Sequence, residues 1–237
     1  MPAERFYSPN PLQQGEEVFL TDLEFHHLVN VMRIRENECI EIVNGNGQLA
    51  TATVKRIEKK RALLHVDLIK TEIAPVHSLI LAQAVPRTNR LEFILEKGTE
   101  LGVTEIWLFP SARSEKRSFT EHQIERLNAI LIAAMKQCGR LFLPKLLFMP
   151  MIKEWKEVPQ RAYFGDTSPD APLFLDLWDK KSATTFFCIG PESGFSEEEI
   201  LLLRSKNLMG VKLHSNILRT DTAALTALSL VSHFKSL

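Results

Sequence analysis

Residues 185–199 read TFFCIGPESGFSEEE, and residues 217–225 read ILRTDTAAL. The first stretch opens as a continuous apolar run, the pattern of a strand buried on both faces. It then turns through Gly190-Pro191 and reaches Ser196, three residues before Glu199, the spacing of a capping box. Strand, glycine-bearing loop and capped helix therefore follow one another. The second stretch places Thr220, Asp221 and Thr222 together at a helix start, more hydroxyl and carboxylate groups than one cap requires. Both loops sit where open α/β sheets bind ligands, beyond the carboxyl ends of strands.

Reading outward, the same alternation fills residues 76–237. SLILAQAVP (78–86), EIWLF (105–109), AYFG (162–165) and VKLH (211–214) read as further strands. Between them, Asn89 with Glu92 and Thr120 with Gln123 predict helix starts, and Gly102 and Gly139 predict helix ends. Apolar strands alternating with helices predict a mostly parallel sheet covered on both faces. Residues 1–72 read differently. VFL (18–20), CIEIVN (39–44), LATATVKRI (49–57) and ALLHVDLIK (62–70) are short, β-branched and partly alternating. NGNG (44–47) is a hairpin signal, and Asp22 is a candidate cap for one helix through FHHLVNVMR. A small β-barrel is expected there, joined to the α/β part by a linker around Pro75.

Hydrophobic residues are 45% and charged residues 24%, an ordinary globular balance. Lys plus Arg is 29 and Asp plus Glu is 29. A neutral chain of this kind does not hold nucleic acid by bulk electrostatics alone. One local window stands out: Lys55, Arg56, Lys59, Lys60 and Arg61 surround a single acid, Glu58. By itself such a run reads as a solvated strand or turn. No apolar run approaches a membrane span, and MPAERFYSPN lacks a signal-peptide core. Cys39, Cys138 and Cys188 show no paired spacing and are expected to be reduced, buried thiols of a cytoplasmic protein. His26 and His27 are adjacent on a helix, a poor metal pair, so no metal is expected. There is no Gly-Lys-Ser/Thr after a glycine-rich turn, no GxGxxG and no GxSxG, so phosphate-loop, dinucleotide and hydrolase-elbow sites are unsupported.

Taken together, GPESGFSEEE and ILRTDTAAL resemble the paired loops GPEGGFS and LGxRVLRTETA of the RsmE family. These are 16S ribosomal RNA uridine-N3 methyltransferases of the SPOUT superfamily. RFY (5–7), HLVNVMRIR (27–35), EKGTELGV (96–103) and QCGR (137–140) with Pro144 extend the resemblance along the chain. Ser193 stands where the family has Gly. His214 and Asn216 replace the Gly and Arg of LGxR, Asp221 replaces a Glu, and Arg90 lies near a family Lys.

The resemblance implies a PUA-like, RNA-binding β-barrel over 1–72 and a trefoil-knotted α/β methyltransferase domain over 76–237. It implies a homodimer, a 16S ribosomal RNA target within the small subunit, and S-adenosylmethionine as methyl donor. The cofactor residues would be Ile189, Gly190, Pro191, Glu192, Gly194, Leu213, Ile217, Leu218, Thr220, Thr222 and Ala223. Arg219, Glu192 and Asp221 are the candidates for catalysis, with Arg219 holding the target nucleotide. Arg5, Arg33 and Arg35 from the first domain, with Arg113, Lys116, Arg117 and Arg140 from the second, are the candidate RNA contacts. Two other readings compete. One is a non-catalytic RNA-binding assembly factor of the same fold. The other is a SPOUT methyltransferase with a different RNA target.

Overall fold

The computed structural model describes residues 5–114 and 117–235. The chain divides into two units, one of residues 1–74 with 132–143 and the other of 75–131 with 144–237.

The first unit is built on a five-stranded sheet. Its strands are β1 (Arg5–Tyr7), β2 (Glu17–Thr21), β3 (Cys39–Val43), β4 (Gln48–Ile57) and β5 (Arg61–Thr71), in the order β1-β3-β4-β5-β2. Only the β1–β3 pair is parallel. Alternation decides the register: Ala50, Ala52, Val54, Ala62, Leu64 and Val66 are fully buried, and Phe6, Leu20 and Leu28 close the same core. The NGNG turn forms as expected. Gly45 and Gly47 take φ of +74° and +91°, and the Asn44 side-chain oxygen accepts from the amides of Asn46 and Gln48. At Gly47 a side chain would press the Phe142 ring at 2.6 Å and the Glu72 carbonyl at 2.8 Å, so glycine is required there twice over.

Two local expectations give way. Asp22 does not cap a regular helix. It is the first residue of a short α1 (Asp22–His26), which widens into a π-turn over His27–Val31, with the Met32 amide donating to the His27 carbonyl. Of the three thiols expected to be buried, only Cys188 is; Cys39 is exposed and Cys138 half-buried.

The second unit is a six-stranded, all-parallel sheet. Its strands are β6 (Ser78–Ala84), β7 (Glu105–Phe109), β8 (Lys145–Phe148), β9 (Ala162–Gly165), β10 (Thr184–Ile189) and β11 (Met209–Val211), in the order β11-β9-β10-β6-β7-β8. Its helices are α2 (Thr88–Glu100), α3 (Glu121–Cys138, of which 132–138 belong to the first unit), α4 (Phe174–Leu177), α5 (Glu197–Ser205) and α6 (Thr220–Lys235). Phe109, Trp155, Phe164, Phe186 and Leu203 fill the core on one side of β10. Thr120 and Gln123 make the expected capping box. Asn89 does not cap α2, which starts one residue earlier without a side-chain cap. Nor does the last strand run to residue 214. It ends at Val211, because Lys212 turns away to exchange backbone hydrogen bonds with Pro172 and Phe174. That early end releases residues 213–218 as a loop.

Candidate functional site

β9, β10 and β11 end side by side, and beyond their carboxyl ends the second unit encloses a cavity of about 400 Å³. One wall is the loop Gly190–Phe195. Pro191 accepts from the Gly194 amide to make a tight turn, and Gly194 holds φ of +70°. A side chain on Gly190 would press the Phe195 ring and amide at 3.3 Å, a contact tight enough that Phe195 would have to give way by a few tenths of an ångström. The opposite wall is 211–218, and Thr220 and Ala223 of α6 complete it. Gly165, Asp166, Thr167 and Ser168 form the floor, and Arg113 stands at the rim.

Four side chains lock these walls together. Gln83, fully buried at the end of β6, donates to the Thr220 hydroxyl at 3.0 Å and the Gly190 carbonyl at 3.3 Å. Thr220 in turn donates to the Gly190 carbonyl at 2.6 Å. Glu199, the capping-box glutamate, is 6% exposed and accepts from the Ser196 amide, the Ser111 hydroxyl and the Ala112 amide. It therefore fixes the rim loop to the 190s loop. Arg90, on α2, spans two carboxylates: Nη1 donates to Asp221 at 2.6 Å and Nε lies 3.3 Å from Glu192. The Arg87 amide also donates to Glu192, at 3.1 Å.

The floor carries its own charge. Burial pushes the Asp166 carboxyl up, but the Ser168 hydroxyl and amide and the Arg204 guanidinium outweigh it and hold it below the usual carboxylate range. Behind the wall, burial and the nearby Glu199 raise the Cys188 thiol well above its ordinary value, which keeps it protonated and unreactive.

Of the residues singled out from sequence, Ile189, Gly190, Pro191, Glu192, Gly194, Leu213, Ile217, Leu218, Thr220 and Ala223 line this one cavity. Asp221 and Thr222 lie on the first turn of α6 and Arg219 immediately precedes it, all three outside the lining. Arg219 is exposed and has no ion pair among the described residues. Ser193 and His214 are both accommodated. The Ser193 carbonyl accepts from Arg113 at 2.8 Å. His214 lines the cavity with Nδ1 turned back to accept from the Asn216 amide at 3.0 Å.

The candidate RNA contacts are scattered. Arg5 is bound to Glu41 at 2.8 Å with only 12% of its side chain exposed. Arg33, Arg35 and Arg117 are exposed. Arg140 is half-buried, and burial lowers its guanidinium from the ordinary value. Lys116 lies outside the described residues. Gln83, Asp166 and Arg90 were missed as site residues. The signal for Gln83 was present, a lone amide inside the apolar run SLILAQAVP.

The cavity suits a nucleoside-sized ligand recognised by backbone groups. The amides of Leu213, His214, Ile217 and Leu218 donate to no acceptor among the described residues. Free donors of this kind at a cavity wall call for a ligand or solvent acceptor. Among the described residues, no group of three or more His, Cys, Asp or Glu is placed to hold a metal ion.

The family model described as the RNA methyltransferase domain matches residues 72–232. The chain belongs to this RNA methyltransferase family. A second model, the RNA methyltransferase PUA domain, matches residues 20–67. Among RNA methyltransferase relatives, the "Ribosomal RNA small subunit methyltransferase E" of Bacillus subtilis is 27% identical over 97% of this chain and 96% of its own length. The crystal structure of a protein of the same name from Neisseria gonorrhoeae, bound to S-adenosyl methionine, is 30% identical. It superposes with a TM-score of 0.88 over 98% of both chains. A methyltransferase structure from Legionella pneumophila in complex with SAM is 27% identical with a TM-score of 0.89, again over 98% of both chains. The fold class expected from the resemblance, a parallel α/β sheet preceded by a PUA domain, therefore stands.

Proposed function

We propose that this chain transfers a methyl group from S-adenosylmethionine to N3 of a uridine in small-subunit ribosomal RNA. The observation that carries the reading is the cavity beyond β9, β10 and β11, walled by free backbone amides and the two loops. When bound, S-adenosylmethionine supplies an activated sulfonium methyl, and the protein supplies position. The chain around Gly190, Leu213 and Leu218 holds the adenosine part through backbone groups, which makes side chains there matter by shape. Ile189, Pro191, Gly194, Ile217, Thr220, Thr222 and Ala223 complete the cofactor residues.

Arg219 holds the target nucleotide, since its exposed guanidinium is free to meet a phosphate or an anionic base. Removal of the N3 proton falls to Asp221 or Glu192. Arg90 occupies Oδ1 of Asp221 and, with the Arg87 amide, Oε1 of Glu192. That leaves Oδ2 and Oε2, which accept no hydrogen bond among the described residues, as the oxygens able to take the proton. RNA contact draws on Arg33, Arg35, Arg113, Arg117 and Arg140, with Arg5 acting through its pair with Glu41.

A chain with equal numbers of acidic and basic residues fits a folded target better than bare RNA. We therefore place its substrate in the small subunit, and from the family resemblance we also place its action in the cytoplasm and its assembly as a homodimer. No helix among the described residues is long and apolar enough to cross a membrane.

Calorimetric titration with S-adenosylmethionine tests the cofactor half. Binding at micromolar strength, a free energy of about −8 kcal/mol, with competition by S-adenosylhomocysteine, is expected. No heat would leave an RNA-binding factor without catalysis. Arg219→Ala should lower turnover on RNA and leave the titration unchanged; full turnover would remove Arg219 from its role.

A further inference from the structure

The basic window at residues 55–61, a solvated run in the sequence, takes on a definite shape in the first unit. Opposite Leu63 and Leu64, β4 carries a bulge between Val54 and Arg56, so one extra residue, Lys55, is inserted. Bulges re-aim side chains, and here both Lys55 and Arg56 are exposed. The hairpin then closes with the Glu58 amide donating to the Arg61 carbonyl, leaving Lys59 and Lys60 at its tip.

A second segment lies alongside. The Asn37 amide donates to the Val54 carbonyl, the Val54 amide to the Glu38 carbonyl, and the Ile57 amide to the Glu36 carboxylate. This brings Arg35 next to the bulge. Across residues 33–38 and 55–61 there are seven basic side chains and three acidic ones, in a chain that is neutral as a whole.

The three acids are engaged locally. Glu36 accepts from Ile57, Glu38 from the Arg35 amide, and Glu58 pairs with Arg61 at 2.7 Å. Arg35, Lys55, Arg56, Lys59 and Lys60 have no ion pair among the described residues and are all exposed. The nearby aromatic ring, Phe19, is 45% exposed but already covered by the Arg61 guanidinium at 4.2 Å.

We propose that the bulged β4–β5 hairpin and the 33–38 strap form a phosphate-binding surface for a double-helical segment of RNA. Free cations fixed on a rigid hairpin contact a phosphate backbone without reading sequence. Single-stranded RNA needs open aromatic faces for stacking, and the ring here is taken. The surface rests on the RNA-methyltransferase reading above. It adds the kind of RNA that the neutral chain grips outside its cofactor cavity.

The test compares the full-length protein with a variant carrying Lys55→Gln, Arg56→Gln, Lys59→Gln and Lys60→Gln. Binding to an RNA duplex of about 16–20 base pairs is measured across a salt series. The variant should bind the duplex at least about tenfold more weakly near 100 mM salt, and its salt slope should fall by about 2–4. Its melting temperature and its S-adenosylmethionine titration should match the parent. Unchanged duplex affinity and slope would overturn the proposal, as would a parent protein that prefers the unpaired strand. A parent that binds S-adenosylmethionine but no duplex would sink the surface and leave the methyltransferase reading standing. A parent that binds neither would bring down the reading on which it rests.

Discussion

Glu199→Gln is the substitution that most directly probes how the cavity is held. The carboxylate is 6% exposed and accepts three hydrogen bonds: the Ser196 amide at 2.9 Å, the Ser111 hydroxyl at 3.0 Å and the Ala112 amide at 2.8 Å. Glutamine keeps the shape and one acceptor oxygen. Its NH₂ group then faces the remaining donors. The Ser111 hydroxyl can rotate and accept, but the Ser196 amide cannot. One donor loses its acceptor and the others lose charge assistance, together costing about 2–3 kcal/mol. At about 2–4 °C per kcal/mol for a chain of this size, the melting midpoint should fall by about 4–12 °C. The assay is tryptophan fluorescence, because Trp107, Trp155 and Trp178 all lie in the unit that holds Glu199. Affinity for S-adenosylmethionine should fall as well, since the rim at Arg113 and the loop at 190–195 lose their common anchor. Exposed Glu198→Gln serves as the control and should stay within about 0.5 kcal/mol. A Glu199→Gln protein that melts with the parent would refute the anchoring role.

Three further outcomes follow from the same geometry. Gly210→Ala puts a methyl 2.5 Å from Asp166 Oδ2 and 2.8 Å from the Phe164 ring, so the variant should lose about 1–3 kcal/mol by the same fluorescence assay. Asp166→Asn should be less stable than the parent at neutral pH. The folded-state carboxyl is held below its ordinary value, so its stabilisation is present above the unfolded value and lost as pH falls through the folded one. The parent and variant melting curves should therefore converge below about pH 4. Arg90→Ala leaves Glu192 and Asp221 without their shared cation and should weaken S-adenosylmethionine binding by about tenfold in calorimetry. Arg90→Lys should recover only part of that, because a single ammonium does not span both carboxylates as the guanidinium does.

How much of this was legible in the sequence depends on the range of the interactions. The capping boxes at Ser196–Glu199 and Thr120–Gln123 involve residues three apart and are present as read. The β-branched and apolar runs became strands because burial on one or both faces leaves a strong pattern. β8 (KLLF) escaped notice because it is a short, largely exposed edge strand with almost no such pattern. The end of the last strand was misplaced because it is decided by Lys212 bonding to Pro172 and Phe174, some forty residues away in sequence. The same holds for the site. The two loops were marked by their glycine and helix-capping chemistry, while the full set of cofactor residues on them came from the family resemblance. Arg90 was noticed as a departure from the family pattern, but its bridge to Asp221 spans 131 residues and no spacing rule reports it. The hairpin bulge at Lys55 belongs to the same class, because register is a property of two strands rather than one.

The central claim is tested most directly by the position of the methyl group. Purified protein would be incubated with S-adenosylmethionine carrying a labelled methyl and with small ribosomal subunits lacking the modification, and the RNA digested for mass spectrometry. The reading predicts label in 3-methyluridine at one position in the small-subunit RNA. Label on a ribose hydroxyl, on another base, or nowhere at all would contradict it.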